Sequence, residues 1–591
     1  MTNRIFNDRC AAAEQGLAEC KKNERLVILG RVIFFPAFVY FVYLYAFSEQ
    51  SIINLLLALF SIISFLFLTK RDQKLQERKT FLGTILEINL AEIKALDGEL
   101  TFPDGEQYIN TDHPFSYDLD LFGKNSLFQV MNRTATKEGS EKLAGWLSNP
   151  LKSADEIYKR QEAVKELTPL LEWRQEFQAS GKIEKEDFAA FPESLTRKIP
   201  AASRPLFSVI IYALPSLTLS LILLYIFNVI GYGAAAIAAL IQLSVCIIYS
   251  YNLGKVEKEL SGLTKQISVY LKIVLHIKDR EFRSEQLVNL RERLFSREAG
   301  ITEAFRKIAS ISKAYDQRGN FFWFLITNSL FMKDLHILHD YRRWLCRYFS
   351  HLPVWTEAIA EADALNSLAN FSYLNPGFAF PVVSDNIIIK SEALGHPLIH
   401  ASRRVTNEFS IHSLHQFFIV TGANMAGKST FLRTAGVNMV LASAGAPVCA
   451  AYFEFTPVNL FTSMRTTDNL SENTSYFHAE LLRLKQMSDS IKDNGKTLII
   501  LDEIMKGTNS KDKFTGSRLF LEKIKDMNVS GIIATHDLDL GILADEYPDN
   551  FGNICFEIEI TDSGIRFDYK LKSGITRNLN ATYLLRKMEL I

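Results

Sequence analysis

Residues Gly422-Ala423-Asn424-Met425-Ala426-Gly427-Lys428-Ser429-Thr430 satisfy the pattern G-x-x-x-x-G-K-[ST]. Glycines at the two ends of such a loop let successive backbone N–H groups wrap a run of phosphates. The start of a following helix adds positive potential there. Lys428 is placed to reach the β- and γ-phosphates, and Ser429 to offer its hydroxyl to Mg²⁺. The chemistry indicated is binding of ATP with Mg²⁺ by residues 422–430.

Two further clusters belong to the same chemistry. Asp502-Glu503 follows the apolar run Thr497–Leu501. An acid at the carboxyl end of a buried parallel strand can hold Mg²⁺ through water, and Glu503 beside it can polarise the attacking water as general base. Thr535-His536-Asp537 follows the run Ser530–Ala534, so His536 is a candidate contact to the γ-phosphate or the lytic water. Between them, Thr466–Ser475 precedes the amphipathic run Tyr476–Met487, with Ser475 where a helix N-cap belongs.

These residues need a sheet. Phe417–Val420, Thr497–Leu501 and Ser530–Ala534 read as buried parallel strands, each ending in one of the clusters. Ile554–Ile560 and Ile565–Leu571 alternate around Asp562-Ser563-Gly564 and read as a β-hairpin. Residues 75–200 and 255–365 read as helical, with leucines at three- and four-residue spacing, as in Glu141–Leu147 and Glu156–Leu167.

Two stretches are apolar. Val32–Phe47 and Ile52–Leu68 are separated by a short polar break, and no Asp, Glu, Lys or Arg occurs between Pro205 and Gly254. Each divides into two runs near the ~20 residues that cross a bilayer. Lys21, Lys22, Arg25, Arg31 and Lys70, Arg71, Lys74 flank the first pair. Arg197, Lys198, Arg204 and Lys255, Lys258 flank the second. Excess Lys/Arg marks the cytoplasmic side, so the expectation is two transmembrane hairpins, four membrane helices in all, with every soluble segment in the cytoplasm. A bacterial inner membrane fits this multi-pass layout.

Lys+Arg and Asp+Glu balance at 66 each, so bulk charge gives no support to DNA binding. The six cysteines form no C-x-x-C pair, and no structural metal or disulfide is expected.

The P-loop with Asn424-Met425, the Leu501-Asp502-Glu503-Ile504 … Gly507-Thr508-Asn509 segment and Ala534-Thr535-His536 together resemble the MutS DNA mismatch-repair family. Asp468-Asn469-Leu470 … Ser475-Tyr476-Phe477 resembles that family's loop facing the nucleotide of a second subunit. The resemblance therefore implies a homodimer, with Ser475 contacting ATP in trans. Upstream, Asn125–Gly139, Trp146–Leu151, Arg160–Val164, Asp363–Ala369 and Gly395-His396-Pro397-Leu398 resemble the family's core and its entry into the ATPase. The sequence departs from the family at several points. Ala426 stands for a loop glycine, Met505-Lys506 stand for Gly-Arg, and no mismatch-reading F-x-E motif precedes residue 115.

The fold class expected is an α/β P-loop NTPase domain of the ABC-type, MutS-like kind, preceded by an all-helical core and lever domain, with two transmembrane helical hairpins. The divisions are 1–75 (spans about 27–47 and 51–69), 76–204, 205–254 for the second hairpin, 255–374, and 375–591 for the ATPase. The function expected is ATP-driven clamping on DNA, in mismatch repair or a related transaction. The alternative is a membrane-anchored ATPase acting on a membrane or protein partner. An ABC transporter fits poorly, because Leu470-Ser471-Glu472-Asn473-Thr474 is a weak L-S-G-G-Q.

Overall fold

The N-terminal residues form two long helices, α1 (Thr2–Phe47), which carries Pro36 within it, and α2 (Ile52–Leu96). The computed structural model describes residues 2–48, 51–182, 205–295, 300–319, 321–465, 476–561 and 564–577. The two helices form an antiparallel hairpin and approach closely where Gly16 and Gly30 face Leu82 and Leu68; a Cβ there would fall 2.9 and 2.7 Å from those leucines. At 1.5 Å per residue each helix is roughly 70 Å long, well beyond the expected spans. The charged flanks continue the same helices. They are tied by Arg31–Asp72 at 2.7 Å and Lys79–Glu24 at 2.9 Å. The base of the hairpin docks through Arg9 on Gln175 at 2.6 Å. Its far half, from Leu26 to Phe67, exposes a dense set of aliphatic and aromatic side chains.

A helical core follows: α3 (Leu127–Met131), α4 (Lys137–Ser148), α5 (Ala154–Leu167), α6 (Leu171–Lys182), α7 (Pro205–Ile226), α8 (Tyr232–Lys278), α9 (Glu285–Phe295), α10 (Ile301–Asp316), α11 (Phe321–Phe331), α12 (Lys333–Tyr348) and α13 (Leu352–Leu374). The segment before α4 is locked onto α13. Thr136 caps α4 by accepting from the Gly139 amide at 3.0 Å, and its hydroxyl donates to buried Asp363 at 2.7 Å. The Ala135 and Thr136 amides donate to the same carboxylate. Beside it, Arg133 makes a two-pronged contact to Glu92 of α2 at 2.6 and 3.0 Å, with both side chains buried.

Within the second apolar stretch α7 and α8 form a hairpin, joined by Gln242, which donates to the Thr218 hydroxyl and to the Leu214 carbonyl. Among the described residues, α1, α2 and α7 are long and apolar enough to cross a membrane; Tyr232–Ile248 of α8 and all of α11 are apolar but shorter. Three of the four expected spans are thus long enough by length and composition, and the fourth, at the start of α8, lies only partly within the residues whose side chains are described. The apolar helix α11 was not foreseen.

The last third contains β1 (Val382–Val383), β2 (Ile389–Leu394), β3 (Asn407–Ile411), β4 (Phe417–Gly422), α14 (Lys428–Ser443), β5 (Tyr452–Phe455), β6 (Asn459–Ser463), α15 (Tyr476–Asn494), β7 (Thr497–Asp502), α16 (Ser510–Ile524), β8 (Val529–Ala534), α17 (Leu543–Glu546), β9 (Phe551–Thr561) and β10 (Gly564–Ser573). One sheet has the order β10-β9-β4-β8-β7-β6, parallel except for the β9–β10 hairpin. A smaller sheet has the order β1-β5-β2-β3. The three strands read from the sequence and the hairpin are present. The smaller sheet and edge strand β6 were not anticipated.

Candidate active site

Register brings the three clusters together. Val420 of β4 and Asp502 of β7 both stand opposite Ala534 of the intervening strand β8. The next residues interlock, with the Thr535 amide donating to the Val420 carbonyl at 3.0 Å and the Glu503 amide to the Ala534 carbonyl at 2.9 Å. The loops after β4, β7 and β8 therefore leave from one level of one sheet edge, where open α/β sheets bind ligands.

Backbone geometry explains the loop's composition. Gly422 passes so close to β9 that a Cβ would fall 2.9 Å from the Phe556 carbonyl oxygen. Gly427 has φ +111°, suited to glycine, and precedes α14. Met425 is left-handed at φ +65° and exposed, whereas buried Ala426 has no positive φ. An alanine therefore fits where the family has glycine. Met505, which stands for the other family glycine, does adopt φ +60°, and Glu503 adopts φ +62°. Such non-glycine outliers cluster at functional sites.

Lys428 is buried and donates to the carbonyl oxygens of Gly422 at 2.7 Å and Ala423 at 3.1 Å. Burial lowers its pKa, opposed by the charges of Asp502 and Glu503. His536 Nε2 lies 3.4 Å from Lys428 Nζ and 3.4 Å from Glu503 Oε1. That single nitrogen can accept from the ammonium when it carries no proton or donate to the carboxylate when it does, but not both. Burial first, then the Lys428 charge, lower the imidazole pKa and favour the neutral form. Lys513, not singled out in the sequence, stands 3.9 Å from the other Glu503 oxygen.

Ala423, Asn424, Met425, Gly427, Lys428, Ser429, Thr430, Asp502, Glu503 and His536 all line one cavity of about 810 Å³, while Gly422 and Ala426 are buried behind it. His396, Ile399, Arg403, Asn407, Phe556 and Tyr569 also line it, Phe556 and Tyr569 packing against Gly427 of the loop. Tyr569 reaches it because β10 bulges between Phe567 and Leu571, and Asn407 clamps the bulge by donating to the Tyr569 carbonyl and accepting from the Leu571 amide. Of these, only the Gly395-His396-Pro397 entry carried a signal in the sequence. Ser475 and the preceding Asp468–Thr474 lie outside the described residues. The elements on either side are held by the segment before α3: Arg465 pairs with Asp120 at 2.7 and 2.9 Å, and Arg483 donates to the His113 and Pro114 carbonyls at 2.9 Å.

The sequence model of MutS domain V matches residues 418–585, the stretch that builds this cavity, and that of MutS domain III matches residues 109–369, the helical core. The chain belongs to the MutS family. This MutS chain is 31% identical to the DNA mismatch repair protein MutS of Finegoldia magna over 42% of its own length and 29% of that protein. It is 32% identical to the DNA mismatch repair protein MutS 2 of Halobacterium salinarum, over 37% of this chain and 25% of that one. With the DNA mismatch repair protein MutS of Thermosipho melanesiensis the similarity extends over 80% of this chain and 61% of that protein, at 26% identity. The match thus covers less than a third of the first two relatives and under two thirds of the third. The helical core and the α/β domain of this MutS chain correspond to domains III and V.

Proposed function

We propose that this chain binds ATP with Mg²⁺ in the 810 Å³ cavity and hydrolyses it. The observation that carries the reading is the convergence of Lys428, Asp502, Glu503 and His536 on one sheet edge. Backbone amides of the 422–430 loop and the start of α14 receive the phosphates. Lys428 turns its ammonium from the loop carbonyls to the β/γ-phosphate oxygens. One hydroxyl and one carboxylate facing the cavity, with water and phosphate oxygens completing the set, suit a hard cation; Ser429 and Asp502 would hold Mg²⁺, which supplies charge neutralisation at the transferred phosphoryl group. Glu503 takes the proton of the attacking water, and neutral His536 orients that water or the γ-phosphate. The remaining lining of the cavity, with His396 and Tyr569, receives the base.

The working unit in this reading is a homodimer in which Ser475 contacts the partner's nucleotide, and ATP turnover opens and closes the helical arms as a clamp. DNA is the expected cargo, since the relatives are DNA mismatch repair proteins by name. A second reading has support of its own: the exposed apolar halves of α1 and α2, together with α7, suit a membrane anchor. There the chain is a multi-pass membrane ATPase whose soluble parts face the cytoplasm and whose strokes act on a membrane or protein partner, without mismatch recognition.

ATP turnover by the detergent-solubilised chain with homoduplex, mismatched and branched DNA separates the two. Stimulation by DNA that weakens steeply with salt supports the first; turnover indifferent to every DNA supports the second. Absence of ATP binding by the wild-type chain would refute both.

A further inference from the structure

Between α7, α11 and α12 lies a cleft of about 520 Å³, within the roughly 300–1,000 Å³ of small-molecule sites. Its wall changes character along α7. At one end Tyr212 meets His336 edge-on, with ring centroids 5.0 Å apart, and Lys333 stands one helical turn before His336 on α12. From there the lining runs through Pro215 to Leu219, facing Trp323 and Phe331 of α11. Tyr212 to Leu219 spans roughly 10 Å along the helix axis.

That polarity has a direction. On the membrane reading of α7, on which this inference rests, Arg197, Lys198 and Arg204 mark its N-terminal end as cytoplasmic. The Tyr212 end then sits at headgroup level and Leu219 deeper. α11 fits the same level: its 11 residues are too few to span a bilayer, yet it exposes Phe321, Phe322, Trp323 and Ile326. Asp334, the acid adjacent to Lys333, is buried and already paired with Arg318 at 2.8 Å. The cleft therefore offers a cation one turn from His336 and a mostly apolar wall, interrupted by Ser216 and Thr327, along Pro215, Leu219, Trp323 and Phe331.

We infer that this cleft holds one anionic phospholipid, its phosphate against Lys333 and one acyl chain along Pro215, Leu219 and Phe331. A free phosphate ion would leave the apolar wall unused, and a zwitterionic lipid would gain little from Lys333. The lipid would fasten α12, and through it the helical core, to the bilayer surface.

The test has two arms. Carbonate washing of membranes from cells making the full chain comes first; release into the supernatant would overturn the membrane reading itself. Then the delipidated chain in detergent is titrated with phosphatidylglycerol, phosphatidylcholine or inorganic phosphate and followed by native mass spectrometry. The expected result is one saturable phosphatidylglycerol per chain, bound at least tenfold tighter than phosphatidylcholine, with no phosphate adduct. Lys333→Glu and Leu219→Trp should each weaken phosphatidylglycerol at least tenfold while keeping wild-type nucleotide binding, which reports an intact fold. A chain that stays in the membrane yet binds both lipids alike, or a Lys333→Glu chain that keeps wild-type phosphatidylglycerol affinity, would overturn the lipid site alone.

Discussion

Lys428 Nζ and His536 Nε2, 108 residues apart in sequence, stand 3.4 Å from each other at the edge of one sheet. The ammonium is also held by two carbonyls of its own loop. It is thus a buried cation aimed at the point where the loops after β4 and β8 meet. Lys428→Ala should lower ATP affinity by about 30- to 5,000-fold, since truncating one partner of a buried, hydrogen-bonded charge pair costs about 2–5 kcal/mol. Titration with a fluorescent ATP analogue checks this.

The buried pair Arg133–Glu92 joins the first hairpin to the core, and Asn370 donates to the same carboxylate at 3.0 Å. Glu92→Met should destabilise the chain by about 3–5 kcal/mol, because it strands a buried guanidinium. Adding Arg133→Met should recover most of that loss. Chemical denaturation in detergent reads both; equal destabilisation by the single and double variants would argue against the assignment.

Two glycines of α4 should respond in opposite senses. A Cβ at Gly139 runs into the Asp363 carboxylate, whereas nothing lies within 4 Å of one at Gly145. Gly139→Ala should cost about 1–3 kcal/mol. Gly145→Ala should stabilise by roughly 0.5–1 kcal/mol through helix propensity. Thermal melting of the two variants side by side makes the comparison.

His396 gives a pH signature. Its Nδ1 accepts from the Leu398 amide, and burial, then the Arg433 charge, push its pKa down to about 4. The unfolded chain therefore takes up this proton first. Stability from this group is full above about pH 6.5 and is lost as pH falls towards 4, by about 3 kcal/mol at most. His396→Asn, which keeps an acceptor but cannot titrate, should flatten that part of the profile between pH 6.5 and 4.

Much of the site was legible because its residues follow strands. Apolar runs ending in Gly422, Asp502 and Thr535-His536 could be aligned without knowing the fold, and the parallel register then sets them level. The rest of the cavity lining was not legible. Tyr569 gets there through a bulge, and Asn407 through hydrogen bonds to that bulge, neither of which leaves a periodic trace. The apolar runs marked spans of about 27–47 and 51–69, and nothing in them marked how far the helices run on beyond, to Thr2 and Leu96. The Asp120 and His113 contacts to Arg465 and Arg483 come from irregular chain with no pattern to read.

In the proposed reaction the residues gathered at this sheet edge hydrolyse ATP, with Glu503 as the base. Turnover and nucleotide binding by Glu503→Gln, measured together on the full chain, test it most directly. ATP affinity should stay near that of the wild type while turnover falls by about 10²–10⁴-fold. A Glu503→Gln chain that hydrolyses ATP at the wild-type rate would contradict it.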